Sequence, residues 1–295
     1  MPLRSETDRP KEALKKMKNF TVLTFALIAA VSLAFSEGPI DERRPLAPDG
    51  VLHVENVAGS VTVVGWSKDE VEIKGTLGRG TRGLDISGDQ RSLSVEVEFE
   101  DEHESDSDNE SDDRGGRSHR DRGDRTVEST DLVIHAPRGA SFEIETVAAT
   151  VDVSEIAGGA VSLESVSGRI RVKGSPRTLE VSIVSGDSEI ALDGPLETGD
   201  FESVVGDITL ETDLQATGRL KVETVGGSIT LRLREDVSAQ FDISTFNGSI
   251  SSDFGGQPKK TSEHLPSTEM RFSTGGGGAR ISVETLNGDI KLVRR

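Results

Sequence analysis

FESVVGDITL at Phe201–Leu210 and VETVGGSITL at Val222–Leu231 are two copies of one ten-residue phrase. Other copies are VENVAGSVTV from Val54, IETVAATVDV from Ile144, LESVSGRIRV from Leu163, ISTFNGSISS from Ile243 and VETLNGDIKL from Val283, with a looser VSIVSGDSEI from Val181. Between Ile144 and Ile243 successive copies start 18–21 residues apart. A fixed period near twenty marks a solenoid, in which each coil rests on its neighbours. The last interval, Ile243 to Val283, is 40 residues, close to two periods.

Aligned, the copies form columns. The first and fourth are apolar throughout, the fourth being Val57, Val147, Val166, Val184, Val204, Val225, Phe246 and Leu286. The sixth is glycine in all copies but one: Gly59, Gly168, Gly186, Gly206, Gly227, Gly248 and Gly288, with Ala149 as the exception. Glycine tolerates positive φ and close backbone approach, so two short strands are expected to meet at a corner there. The predicted fold is all-β, a single-stranded parallel β-solenoid (β-helix) with turns of roughly twenty residues, its strands stacked in register at about 4.8 Å. Val and Ile suit such a pleated, buried wall. The third column (Asn56, Thr146, Ser165, Ile183, Ser203, Thr224, Thr245, Thr285) can hydrogen-bond at seven of eight positions, which suits a side-chain ladder. In the second column Glu55, Glu145, Glu164, Glu202, Glu223 and Glu284 stack their carboxylates, with Ser182 and Ser244 between. Like charges opposite one another destabilise a sheet, so Glu145, Glu164, Glu202 and Glu223 form either a solvated outer face or a stripe for cations or a basic ligand.

The flanks have other origins. Lys11, Lys15, Lys16 and Lys18 precede the apolar run Phe20–Phe35, and Ala34 and Ser36 suit cleavage. Residues 1–36 therefore read as an export signal, Met17 giving the more ordinary start. If uncleaved, the run serves as an N-terminal membrane anchor. Without residues 1–36, the formal charge of −18 becomes about −21, because that segment carries six Lys/Arg and three Asp/Glu. Such a surface repels nucleic acid. There is no cysteine, so neither disulfides nor thiolate chemistry arise. Residues 37–50 read as a linker and 51–295 as the repeat domain. The run 100–125, without an apolar residue, reads as a disordered acidic loop, and 257–267 as a second loop. Trp66 ends the first repeat and is expected to cap an apolar end.

Little in the chain suggests a reaction. Gly78, Gly80 and Gly83 spell a nucleotide-binding pattern, but a strand-like segment follows where a helix is needed. His53, His103, His119, His135 and His264 lack metal-ligand spacing. No metal or cofactor is expected beyond weak Ca²⁺ adsorption at DSDNESDD from Asp106, which lacks the glycine and terminal glutamate of an EF-hand. Asp187, Asp207 and Asp289 share the column after the glycine. They read as turn residues, the alternative being a polysaccharide-active β-helix enzyme using paired carboxylates.

The repeat T-x-x-G-x-I-x-L, the exported N-terminus and the closing LNGDIKL resemble the bacterial DUF4097 family of proposed adhesins over about Val51–Val293. The resemblance implies a β-solenoid in an envelope protein and no catalytic residues. The expectation is a non-enzymatic protein of the periplasm or cell surface, binding or scaffolding a protein or glycan at the envelope and no nucleic acid.

Overall fold

Period-two alternation becomes strand throughout the computed structural model, which describes residues 39–99, 129–262 and 266–295. The expected signal, the acidic loop 100–125, and His103, His119 and His264 lie outside the described residues. The described residues form one compact unit. The architecture is all-β, with no helix among the described residues.

Each repeat contributes to two hydrogen-bonded ladders that meet at the glycine. Before the corner, Val54 pairs in parallel with Ile144, Ile144 with Leu163, Leu163 with Val181, Val181 with Phe201, and Phe201 with Val222. After it, Val61 pairs with Val151, Val151 with Ile170, Ile170 with Ser188, Ser188 with Ile208, and Ile208 with Ile229. The register is thus the alignment of the repeats themselves. Strands Val51–Trp66 and Ser141–Ala157 run through the corner unbroken, and the later ones break at it.

The stacking order departs from chain order at the far end. Val222 does not pair with Ile243. Val283 lies between them, paired with both, and Ile290 likewise lies between Ile229 and Ile250. The 40-residue interval therefore does not hold a further parallel coil. Its middle strand, Thr268–Ser273, runs antiparallel against Ala239–Asn247, which is the edge of the ladder. Segment 257–267, expected to be a loop, contributes Lys259–Lys260 as a short antiparallel strand against Thr268–Ser273.

The other end is also closed by antiparallel strands. Residues 40–45, expected within a linker, form the strand Ile40–Pro45 against Glu70–Thr76, which in turn pairs with Thr130–Pro137. Its polar sequence is held from outside the core, by Arg43 and Lys74 on Glu72. Thr81–Gly88 folds back on Ser92–Phe99. Mixed, charged strands at both ends blunt edges that would otherwise template further pairing.

Side-chain parity fixes what lies inside. Residues i and i+2 share a face, so columns one and three point one way and columns two and four the other. Column one is buried in every copy, with Ile144, Leu163 and Phe201 among the largest fully buried side chains. Column three is buried too, despite its polarity: Asn56, Thr146, Ser165, Ile183, Ser203, Thr224, Thr245 and Thr285 are all 6% exposed or less. Burying a hydroxyl without a partner is costly. Thr146 Oγ1 donates to Ser165 Oγ at 2.9 Å, Thr245 Oγ1 to the Gly288 carbonyl at 3.0 Å, and Asn56 Nδ2 to the Thr130 carbonyl at 3.0 Å. At these rungs the column works as a polar seam beneath the corner, whereas Ser203 Oγ and Thr224 Oγ1 are buried with no hydrogen-bond partner among the described residues.

At the corners Gly168, Gly186, Gly206, Gly227 and Gly248 have φ between 137° and 158°, while Gly288 is not among the positive-φ residues. Close approach constrains them more strongly. A Cβ on Gly206 would sit 1.9 Å from the Gly186 carbonyl oxygen, and one on Gly186 would sit 1.7 Å from that of Gly168. Trp66, expected to cap an apolar end, is instead half-buried on the outer side. Its Nε1 donates to the Glu70 carbonyl at 2.8 Å, Lys68 lies over the ring, and His135 packs beside it.

Candidate functional site

The outer face of the first ladder carries two parallel columns side by side, one acidic and one apolar. In stacking order the acidic column runs Asp85, Glu96, Glu55, Glu145, Glu164, Ser182, Glu202, Glu223, Glu284, Ser244, Glu269. The structure brings Glu145 beside Glu164 and Glu202 beside Glu223, and Ser182 separates the two pairs. Asp85, Glu96 and Glu269 extend the column from outside the repeats. Only the alternation in LSVEVE around Glu96 hinted at this.

The column has two electrostatic halves. In the far half Lys221 reaches Glu202 at 2.6 Å, Glu223 at 3.1 Å and Asp200 at 3.5 Å. Burial works to lower the Lys221 pKa, but the hydrogen bond to Glu202 and the surrounding carboxylates outweigh it and hold the ammonium charged. Burial leaves Asp200 above the ordinary aspartate value in spite of Lys221. In the near half no lysine or arginine is paired with Glu96, Glu55 or Glu164 among the described residues. Burial first, and then the neighbouring carboxylates, raise the pKa of all three above the ordinary glutamate value. The column is a line of charge and not a chelate: no group of three or more His, Asp or Glu side chains converges to hold a metal ion among the described residues.

A pH dependence follows from these shifts. With pKa values raised in the folded state, the native chain holds protons that the unfolded chain has lost, so stability falls as pH rises through that interval. Glu72, held down by its hydrogen bonds from Arg43 and Lys74, and Asp289, held down by backbone and hydroxyl donors of Ser249, act oppositely, but only below their ordinary values. The melting temperature is therefore expected to fall as pH rises from the ordinary glutamate value, about 4.5, toward neutrality. The Glu55→Gln/Glu164→Gln pair should raise the value at the higher pH and shrink the difference. A flat profile in the wild type would contradict the repulsion.

The apolar column lies one alternation further along the same face. Its members fall between in-register pairs on either side and so follow the same order: Val57, Val147, Val166, Val184, Val204, Val225, Leu286 and Phe246. The repeat alignment suggests that this column belongs to the wall of the core, but it points outward. Val147 is 42% exposed, Val166 45% and Phe246 37%, and the rest are half-buried. Eight rungs span about 34 Å at the usual strand spacing. Parity with the buried first column was the signal that could have placed it outside, because hydrophobicity alone does not say which face is wet.

The remaining candidates have structural roles. Asp187 Oδ1 accepts the Asp207 backbone N–H at 3.0 Å, Asp207 Oδ1 accepts that of Ser228 at 2.7 Å, and Asp289 Oδ1 accepts that of Ser249 at 2.8 Å. Each carboxylate is thus used to cap the next coil at the corner. Gly80 sits at φ 86° in the turn before the strand Thr81–Gly88, so no helix N-terminus faces it for a phosphate. His53 Nδ1 lies 2.8 Å from Glu143 on the outer face, and His135 packs on Trp66. No helix of the described residues is long and apolar enough to cross a membrane.

Solved structures that the chain matches include a proposed cell adhesion protein from Clostridium sporogenes, 10% identical, with a TM-score of 0.36 over 88% of this chain and 100% of that one. A proposed adhesin from Bacteroides fragilis is 12% identical, with a TM-score of 0.37 over 88% and 98% of the two chains. One from Parabacteroides distasonis is 10% identical, with a TM-score of 0.31 over 87% and 97%. No functionally curated protein matches the chain. The Toastrack DUF4097 family model matches residues 53–293, nearly the whole of the repeat region, and the chain belongs to that family.

Proposed function

We propose that the two ladders are the walls of a parallel β-solenoid, and that the protein is a non-enzymatic component of the cell envelope, exported to the periplasm or cell surface, that holds a partner along its outer face. The observation carrying this reading is the outward-facing apolar column, eight rungs long, exposed at Val147, Val166 and Phe246 and half-buried elsewhere, beside a column of carboxylates. An outward-facing apolar strip, partly open to solvent, is a liability on a strongly acidic chain unless something covers it. The partner that fits is a polypeptide with an apolar seam flanked by Lys or Arg, and its charges would relieve the repulsion between stacked glutamates. The aspartates that an enzyme would need in one groove are engaged in capping backbone N–H groups, which supports a binding role over a hydrolytic one.

The test uses two labelled amphipathic peptides of equal apolar content, one with lysine and one with glutamate on its polar face. The lysine peptide is expected to bind, more weakly as salt rises. The Val147→Ser/Val166→Ser/Phe246→Ser variant should lose at least tenfold in affinity, about 1.4 kcal/mol, while melting as the wild type does. Equal binding of both peptides, or an unaffected triple variant, would overturn the docking surface. Recovery of the mature protein from the cytoplasm with residues 1–36 intact would overturn the envelope assignment.

A further inference from the structure

Most cations on this face are already spent on carboxylates. Lys221 is held by Asp200, Glu202 and Glu223, and Arg271 by Asp242 at 3.0 Å and Glu269 at 3.2 Å. Arg219 and Arg280 are different. They come from segments 61 residues apart in sequence, yet they pair in register on adjacent parallel strands. Both are exposed, and neither forms an ion pair or side-chain hydrogen bond among the described residues. The rung on one side offers Thr198 and the rung on the other offers Gln240, with Ser273 beyond it. None of these is acidic, on a chain with 52 Asp and Glu to 34 Lys and Arg. Two like charges one strand spacing apart, about 4.8 Å, destabilise a sheet, and among the described residues neither arginine has an ion-pair partner to offset the repulsion.

These residues line a surface cleft with a volume of about 790 Å³, together with Asp200, Lys221, Asp242, Arg271 and Ser282. Guanidinium groups present donors in a planar fork that matches the oxygens of phosphate and sulfate. We propose that this cleft is an anion-binding site for a compact oxyanion, a phosphate or sulfate monoester carried on an otherwise uncharged group. Arg219 and Arg280 supply the uncompensated charge, and the hydroxyls of Ser282, Thr198 and Ser273 supply neutral donors beside them. Size selection comes from the surroundings. Asp200 and Asp242 stand in the neighbouring column, and the column of Glu202, Glu223, Glu284 and Glu269 runs just beyond it. A second negative group on the same ligand would meet those carboxylates, so an extended polyanion is disfavoured while a single terminal ester is accepted. The site is separate from the apolar column and does not depend on what that column holds.

Calorimetric titration of the full chain at low salt tests this with five probes: orthophosphate, inorganic sulfate, a hexose monophosphate, the same hexose unesterified, and a sulfated polysaccharide. The hexose monophosphate is expected to saturate one site per chain, with orthophosphate or sulfate competing for it and the free hexose silent. Arg219→Gln and Arg280→Gln should each weaken binding at least tenfold, and the double variant should abolish it. Arg280→Lys should fall between the wild type and Arg280→Gln, because it keeps the charge and loses the fork. Either Gln variant is expected to melt at or above the wild-type temperature, since it removes like-charge repulsion, so a loss of binding cannot be ascribed to unfolding. Unchanged binding in the double variant, or no saturable binding of any ester or ion by the wild type, would overturn the proposal. Tighter binding of the sulfated polysaccharide than of the monoester would overturn the compact-anion selectivity.

Discussion

Gly206→Ala is expected to be among the most damaging single-atom changes available in this chain. The added Cβ would fall 1.9 Å from the Gly186 carbonyl oxygen, in a backbone held at φ 144°. The adjoining bonds cannot simply relax, because Gly206 N donates to the Gly226 carbonyl and Gly186 N to the Val205 carbonyl, both at 2.9 Å. Either the stacking distance opens at mid-stack or the corner flips, and both break ladder hydrogen bonds. A loss of at least about 3–5 kcal/mol follows, at the severe end for point changes. Gly80→Ala is the matched control. Gly80 also has a positive φ, 86°, but nothing lies within 4 Å of its would-be Cβ. It should cost only the left-handed strain, about 1–2 kcal/mol. Denaturant melts of the two variants separate close approach from dihedral preference. Equal losses would show that the corner glycines are chosen for φ alone.

Phe201→Ala should show the second large effect. Phe201 is 1% exposed, and its ladder neighbours are Val181 and Val222. The neighbours sit on rungs fixed by backbone hydrogen bonds and cannot close the void, so the loss should be about 3–5 kcal/mol. Val166→Ser, on the same ladder but facing out, should stay within about 0.5 kcal/mol of wild type. A similar loss at both positions would contradict the assignment of inner and outer columns.

Much of this architecture was legible because the repeat writes its own register. The glycine column marks the corner, and lining up the glycines reproduces the observed pairing from Val54 to Val222 residue for residue. Four features were not legible, each for a physical reason. The final coil lies between its predecessors because periodicity says which face a residue occupies and is silent on which coil sits beside which. Only the antiparallel return of Thr268–Ser273 on the edge strand leads the chain back inward. The exposure of Val147, Val166 and Phe246 was hidden because an apolar column reads alike on either side of a wall. Ile40–Pro45 looked like a linker because its strand is stabilised by ladder hydrogen bonds and by Arg43 on Glu72, with no apolar alternation to announce it. The Arg219–Arg280 pair was out of reach for the same reason as the final coil, since the two arginines meet only through that interposed strand.

The stacking order itself can be measured directly, since the chain has no native cysteine to interfere. Paired substitutions in the outward column place thiols on chosen rungs: Glu223→Cys with Glu284→Cys, Glu284→Cys with Ser244→Cys, and Glu223→Cys with Ser244→Cys. Adjacent parallel rungs bring Cα atoms to about 4.8 Å, inside disulfide range, while a rung between them pushes the separation to about 9.6 Å, outside it. Oxidation of the folded protein should cross-link the first two pairs and leave the third reduced. Efficient cross-linking of the Glu223/Ser244 pair, with none for Glu223/Glu284, would show that the coils stack in simple chain order.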